Sequence, residues 1–221
     1  NGTTYVMKTY PDRLLDSRNR IEAEFNACRY LENTDLAPKA IELDRDLNIG
    51  IYEWVEGRPV QQVENSHIAE ALSFTKYLWS VSQSPEASFF PLASEACISA
   101  DQLFSQIETR FEKLKYCSKD IESLEDFLES VFKPTWLATR SWVEKLWPID
   151  NQNKILPQEN QTLSPSDFGF HNSLIRRDRT LCFLDLEYFG FDDPVKLIAD
   201  FIWHPAMYLS DAQKKQWVRE C

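Results

Sequence analysis

Residues 164–172 read SPSDFGFHN, and residues 184–194 read LDLEYFGFDDP. The first stretch sets a carboxylate, Asp167, five positions before a carboxamide, Asn172, and the second stretch is rich in carboxylates. Between them, the runs NSLIRR and LCFLDL flank a polar RDRT turn, which predicts a β-hairpin. Loops beside such a hairpin are where functional side chains tend to lie. The pattern therefore fits either two loops that carry helix caps or a site for a metal ion and a phosphate on the two sides of the hairpin.

The start of the chain has the pattern of a small α+β lobe. TTYVMKTYP alternates like a strand and carries Lys8, and SRNRIEAEFNACRYLEN has the apolar spacing of a helix. On that helix, spacing favours Glu24 over Glu22 as the inward-facing acid. The runs AIELDRD and NIGIYEWV predict a second hairpin, ended by Gly57. Residues 1–57 are thus expected to form a β-rich lobe.

The rest of the chain, residues 58–221, is predicted to be mainly helical with the catalytic hairpin near its end. Apolar residues recur at helical spacing in the segments that begin at Ser66, Ala100, Ile121 and Pro134. The segment DPVKLIADFIWHP reads as a helix that begins at a proline. The expected fold class is α+β, with a small N-terminal lobe and a larger helical lobe.

Charge and composition exclude several classes of function. The 221 residues carry a net charge of −11, which argues against a nucleic-acid or anionic-membrane surface. The sequence has no apolar run of the roughly 20 residues that span a bilayer and no signal-peptide pattern at its start. Its five cysteines are scattered without a C-x-x-C pair, which is typical of free thiols. These features predict a cytoplasmic protein with a small-molecule partner; they leave the oligomeric state open.

The residue types fit the chemistry of phosphoryl transfer. Such a reaction needs a carboxylate for the proton of the attacking hydroxyl and a divalent ion on the nucleotide phosphates. Magnesium prefers hard oxygen ligands. Asp167 is the candidate base, and Asn172 and Asp185 are candidate metal ligands. Lys8 beside Glu24 is the candidate group for holding phosphates.

The order of these residues resembles the aminoglycoside phosphotransferase and choline kinase family, which has a protein-kinase-like fold. The family's catalytic loop reads H-G-D-x-x-x-x-N, and its metal segment reads D-x-E followed by G-D-P. The first spacing matches Asp167 to Asn172, and the second matches Asp185 and Glu187. The Asp193-Pro194 pair matches the D-P step.

The resemblance implies ATP and Mg²⁺ as cofactors and a small-molecule alcohol as acceptor. It implies that Glu187 joins the metal ligands. The segment YEWVEG is similar to the family's hinge, where backbone groups from Glu53 through Trp54 to Val55 would meet an adenine edge. Lys8 and Glu24 would form the ion pair of the small lobe.

Several positions depart from the family pattern. Pro165-Ser166 stands where the family has His-Gly, and Leu197 stands where it has an aspartate after the D-P step. Asp200 is the candidate for the missing anchoring role. The chain has no G-x-G-x-x-G, and the family's phosphate-covering hairpin should precede Lys8, so we expect the sequence to be truncated before that strand.

Two other functions fit parts of the pattern. The departures at Pro165, Ser166 and Leu197 suit a nucleotide-binding module without catalysis. Asp185 and Glu187 would share one face of a strand, about 6 to 7 Å apart, which suits a glycoside hydrolase. That hydrolase leaves Lys8 unexplained.

The three histidines are not expected to form a ligand set. His67 and His204 read as residues at a helix start and a helix end, and His171 reads as a packing or hydrogen-bonding residue of the loop.

Overall fold

The computed structural model describes residues 2–12, 14–147 and 149–221. The chain divides into two compact units, Asn1–Ala96 together with Glu159–Cys221, and Cys97–Gln158. The lobe boundary expected between residues 57 and 58 falls inside the first unit and stays a prediction.

An antiparallel sheet and one helix form the start of the first unit. The sheet order is β1-β3-β2, with Lys8 opposite Gly50. The helix buries Ile21, Phe25 and Cys28, the apolar stripe that the sequence predicts. Glycine at position 50 leaves room for the Tyr52 ring, since an added Cβ would lie 2.6 Å from it. The elements are β1 (Tyr5–Thr9), α1 (Arg20–Tyr30), β2 (Ala40–Asp44) and β3 (Ile49–Glu53).

Short strands continue the first unit. The predicted hairpin near the chain end is present as β6 and β7. Gly57 does not end the preceding hairpin in a turn as expected; it begins β4, which pairs with β6. A separate two-stranded ladder joins β5 and β8. The elements are β4 (Gly57–Pro59), β5 (Thr162–Ser164), β6 (Ser173–Arg176), β7 (Leu181–Phe183) and β8 (Gly190–Asp192).

Aromatic residues of the SPSDFGFHN stretch anchor it to the core of this unit. Phe168 packs against Phe74, Phe183 and Phe201, with ring centroids 5.1–5.5 Å apart. Phe201 in turn stacks on Trp217 at 3.7 Å. These rings come from the helices α2 (Asn65–Val81), α7 (Pro194–Trp203) and α8 (Asp211–Glu220) and from strand β7. Because its alternate aromatics are buried, the loop holds its polar residues in a defined place.

The second unit is helical. Phe104 meets Trp136 edge-on at 5.7 Å, and Phe111 stacks on Phe132 at 5.1 Å. Arg140 adds an ion pair with Glu108. Its helices are α3 (Ala100–Cys117), α4 (Glu122–Phe127), α5 (Lys133–Leu146) and α6 (Ile149–Gln152), with a π-helical turn at Leu128–Phe132.

The α+β class predicted from the sequence is confirmed. Within the described ranges, every helix is too short or too polar to cross a bilayer.

Candidate active site

Lys8 lies at the centre of a charged cluster. Its Nζ is 2.6 Å from Glu24 Oε2 and 3.2 Å from Glu187 Oε2, and it also contacts Asp185. Strand β1, helix α1 and the segment after β7 each contribute to this cluster, so residues from opposite ends of the sequence meet at one amine. Burial disfavours the ammonium, but Glu24 and Asp185 outweigh that effect and raise the pKa of Lys8. Lys8 is therefore a cation at neutral pH.

Glu24 is held by the hydroxyl of Tyr10 as well as by Lys8. Tyr10 donates to Glu24 Oε2 at 2.6 Å, and its hydroxyl lies 2.7 Å from that of Tyr52. Burial and the neighbouring Glu24 carboxylate raise the pKa of Tyr10, so its hydroxyl keeps the proton it donates. Glu22 instead pairs with Arg45, which agrees with the choice of Glu24 as the inward-facing acid.

Three carboxylates at Lys8 form a candidate metal group. One oxygen each from Glu24, Asp185 and Glu187 lies within 4.8 Å of the others, and Arg20 contacts Glu187. Asp185 has a φ of 61°, a left-handed conformation that is costly for an aspartate. Hard oxygen donors are the chemistry that Mg²⁺ prefers, so the carboxylates of Asp185 and Glu187 fit the ion, whereas Glu24 is the buried partner of Lys8.

A cavity of about 410 Å³ lies beside this cluster. Its walls include Tyr52, Glu53, Trp54 and Val55, the hinge segment predicted from the sequence. Glu53 N–H donates to Lys39 O at 2.9 Å, so that hinge donor is already used. The cavity is lined by Val6, Lys8, Glu24, Pro38, Tyr52, Glu53, Trp54, Val55, Gly57, Leu174, Leu184 and Asp185.

Asp167 makes a dense set of side-chain contacts. His171 Nε2 lies 3.0 Å and His204 Nε2 lies 3.3 Å from Asp167 Oδ1. Asn172 Nδ2 donates to Asp167 O at 3.1 Å and to Oδ2 at 3.2 Å. The hydrogen bond from His171 is the largest cause of the lowered pKa of Asp167, against the opposing effect of burial. Asp167 is an ionised carboxylate at neutral pH.

The expectation that the three histidines form no ligand set stays a prediction, but two of them meet at one carboxylate. The rings of His171 and His204 stack 4.1 Å apart and 3° from parallel, and both reach Asp167. His204 follows the end of α7, and His171 belongs to the loop, so only the fold brings them together. His67 is at the start of α2, as expected, where its Nδ1 accepts from Glu64 N–H.

The sequence pattern predicts that Asn172 and Asp185 bind the same magnesium ion. The structure joins their segments through Leu184 N–H, which donates to Asn172 O at 2.8 Å. The side-chain contacts described for Asn172 go to Asp167, while Asp185 contacts Lys8. Shared metal binding by Asn172 and Asp185 stays a prediction.

The D-P step caps a helix. Asp193 Oδ1 accepts from Val195 N–H at 2.7 Å at the start of α7. Asp200, the candidate anchor, is bound by Lys196 at 2.6 Å, and the same lysine reaches the buried Asp192 at 3.2 Å. The contact described for Asp200 is therefore an ion pair along its own helix.

No protein-family profile and no curated protein sequence matches this chain. Solved structures do match. Choline kinase LicA from Streptococcus pneumoniae is 14% identical, with a TM-score of 0.60 over 99% of this chain and 67% of that one. The gentamicin–APH(2")-IIa complex is 17% identical, with a TM-score of 0.60 over 98% and 69%. ADP-bound aminoglycoside phosphotransferase APH(2'')-Ib is 16% identical, with a TM-score of 0.57 over 98% and 70%.

The chain thus spans about two thirds of the length of the structures it matches. Nearly all of its own residues take part in each match. The resemblance predicted from the sequence is confirmed for the fold: the chain has the kinase-like fold of the choline kinases and aminoglycoside phosphotransferases.

Proposed function

We propose that the protein is an ATP-dependent phosphotransferase that acts on a hydroxyl group of a small molecule. The observation that carries the proposal is the meeting of Lys8, Glu24 and Asp185 beside the hinge-lined cavity. A partly buried cation at the wall of a cavity of this size suits the phosphates of a nucleotide. The fold shared with the ADP-bound phosphotransferase supports the same conclusion.

Each part of the nucleotide has a candidate partner. The adenine lies against the hinge segment from Glu53 through Trp54 to Val55. Lys8 binds the phosphates, and Glu24 holds the ammonium in position from its buried site on α1. Asn172, Asp185 and Glu187 would hold Mg²⁺, which neutralises phosphate charge when bound.

Asp167 receives the proton of the acceptor. The hydroxyl oxygen forms a bond to the γ-phosphorus, the bond to the β–γ bridging oxygen breaks, and ADP leaves. The hydroxyl proton passes to the Asp167 carboxylate. The lowered pKa of Asp167 keeps this group ionised before the reaction, and its half-exposed side chain is open to an acceptor.

The acceptor class is a sugar, an aminosugar or an amino alcohol. Matching structures include a choline kinase and a complex with gentamicin, both of which concern cationic small molecules with hydroxyl groups. The net charge of −11 favours an approaching cation electrostatically. The need for ATP, together with the free thiols of the buried Cys28 and Cys182, suits the cytoplasm.

The proposal is tested by ADP release from MgATP across choline, ethanolamine, gentamicin and simple sugars. We expect an acceptor-dependent rate that falls at least about a hundredfold in both Asp167→Asn and Asp185→Asn. Full activity in either variant would contradict the assigned roles.

Two other outcomes separate the alternatives. Nucleotide binding without turnover on any acceptor would indicate a silent binding module. Glycosidase activity without ATP would indicate a hydrolase. The expectation that Asp185 and Glu187 share one face of a strand is wrong, because β7 ends at Phe183 and both residues follow it. Both carboxylates contact Lys8, for which a hydrolase has no role.

A further inference from the structure

Two imidazoles converge on one oxygen of the candidate catalytic base. His171 Nε2 and His204 Nε2 lie 3.0 Å and 3.3 Å from Asp167 Oδ1. His171 is on the loop four positions after Asp167, and His204 follows helix α7. Nothing in the phosphotransfer roles assigned above uses either ring.

Hydrogen bonding defines the proton positions on these rings. Ala206 N–H donates to His204 Nδ1 at 3.2 Å, so Nδ1 carries the lone pair and Nε2 carries the proton. A carboxylate only accepts, so His171 Nε2 must also carry a proton to bond Asp167. His171 therefore donates to Oδ1, and the protonated Nε2 of His204 lies 3.3 Å from the same oxygen.

The stacking of the rings argues against a shared metal ion. A ring nitrogen binds a metal through a lone pair in the plane of its ring. The planes of His171 and His204 are 3° from parallel and their centroids are 4.1 Å apart, so the two lone pairs run side by side. An ion at the bond length of about 2.0–2.1 Å could not lie in both planes. The cluster suits hydrogen-bond donation to Asp167.

The two oxygens of Asp167 are consequently different. A carboxylate oxygen has two lone-pair directions. Oδ1 faces both imidazoles, whereas the described contact of Oδ2 is with Asn172 Nδ2 at 3.2 Å. Oδ2 keeps a direction open for a hydroxyl group.

We propose that His171 and His204 are positioning residues that occupy Oδ1 of Asp167 and present Oδ2 to the acceptor hydroxyl. The proposal rests on the proposed function, in which Asp167 takes the acceptor proton. The two imidazoles that support the base lie after Asp167 in the loop and at the end of α7. The dipeptide Pro165-Ser166 directly precedes Asp167. The side chains are 21% and 28% exposed, so the donors are partly shielded from competing water.

Matched substitutions separate donation from packing. His204→Phe keeps an aromatic ring for the stack and removes the N–H, whereas His204→Gln keeps an N–H at the same distance along the side chain. The same pair is made at His171.

The first readout is steady-state ADP release from MgATP, with choline and with gentamicin as acceptors. A misdirected base costs up to about a hundredfold, so we expect kcat to fall about 10- to 100-fold in each Phe variant. KM for MgATP should stay within about twofold, because neither ring binds the nucleotide. The Gln variants should retain kcat within about threefold.

The second readout is independent of activity. In ¹⁵N NMR spectra of the histidine side chains, neutral His204 should show a protonated Nε2 and an unprotonated Nδ1. The opposite tautomer at His204, or Phe variants with wild-type kcat, would overturn the positioning proposal. A wild-type protein that neither binds MgATP nor releases ADP with any acceptor would instead overturn the proposed function, and the tautomer would then decide by itself whether the rings donate to Asp167.

Discussion

At the scale of single residues, Lys8 contacts three carboxylates that the fold brings together. Removing it leaves Glu24, Asp185 and Glu187 with Arg20 as the remaining described cation in contact. We expect Lys8→Met to lower the free energy of unfolding by about 1–3 kcal/mol, less than for a fully buried pair because the lysine side chain is 28% exposed.

Urea denaturation at neutral pH measures this change. The exposed Lys154→Met, which removes the same charge elsewhere, should alter stability by less than about 0.5 kcal/mol. A Lys8→Met protein as stable as the wild type would show that the carboxylates do not need the lysine.

Tyr10 stabilises the same cluster through a hydrogen bond to Glu24. Its hydroxyl donates to Glu24 and meets that of Tyr52 in a site where only 7% of Tyr10 is exposed. Tyr10→Phe leaves the buried acid short of one donor, so we expect a loss of about 1–2 kcal/mol in unfolding free energy. Thermal and urea denaturation measure it, with the exposed Tyr5→Phe as the control that should change little.

His204 makes stability depend on pH. Burial, and then the neighbouring His171, lower the pKa of His204. The unfolded chain therefore binds this proton more readily, so the contribution of His204 is complete above a pH of about 6.5 and is lost as pH falls through the folded-state pKa. We expect the wild type to lose more stability than His204→Gln between a pH of about 7.5 and one of about 5, as measured by urea denaturation. An equal loss in both proteins would contradict this assignment.

At the scale of elements, Gly190 allows β8 to pack closely against the backbone of residues 91–93. Phe191 N–H donates to Pro91 O, and Ala93 N–H donates to Phe191 O, each at 2.9 Å. A Cβ at position 190 would lie 2.5 Å from both Ala93 N and Pro91 O, which are backbone atoms. We expect Gly190→Ala to cost about 1–3 kcal/mol in unfolding free energy.

Chemical denaturation tests this expectation, and Gly2→Ala is the control, since an added Cβ there meets nothing within 4 Å. Equal stability of the two variants would mean that β8 and residues 91–93 move apart in Gly190→Ala at little cost in free energy, which would contradict this expectation.

The sequence pattern predicted the long helices and one hairpin with a polar turn, and it missed the other short strands. Helices such as α2 and α7 and the hairpin of β6 and β7 follow apolar spacing that is visible in the sequence. The strands β4, β5 and β8 have three residues each, too few for an alternating pattern, and they pair with strands distant in the sequence. Strand β7 is as short, but the polar RDRT turn joins it to β6. Helix α8 buries Trp217 alone of its ten residues, so it has no apolar stripe to recognise.

At the scale of the whole molecule, the candidate site was predicted from the order of motifs along the sequence. The spacing of Asp167 and Asn172 and the segment of Asp185 marked the residues, and the resemblance to a family placed Lys8 with Glu24. The convergence of His171 and His204 on Asp167 could not be predicted, because it depends on how α7 packs against the catalytic loop. The spacing of residues along the sequence does not indicate that contact.

The central claim is that Lys8, Glu24 and Asp185 mark a nucleotide site that uses a metal ion. Isothermal titration of ATP into the protein, with and without Mg²⁺, tests it most directly, with Asp185→Asn beside the wild type and Asp46→Asn as a control for lost charge. The account predicts magnesium-dependent binding in the wild type and in Asp46→Asn, and a loss of at least about tenfold in affinity in Asp185→Asn. Absence of ATP binding in the wild type, or equal affinity in Asp185→Asn, would contradict it.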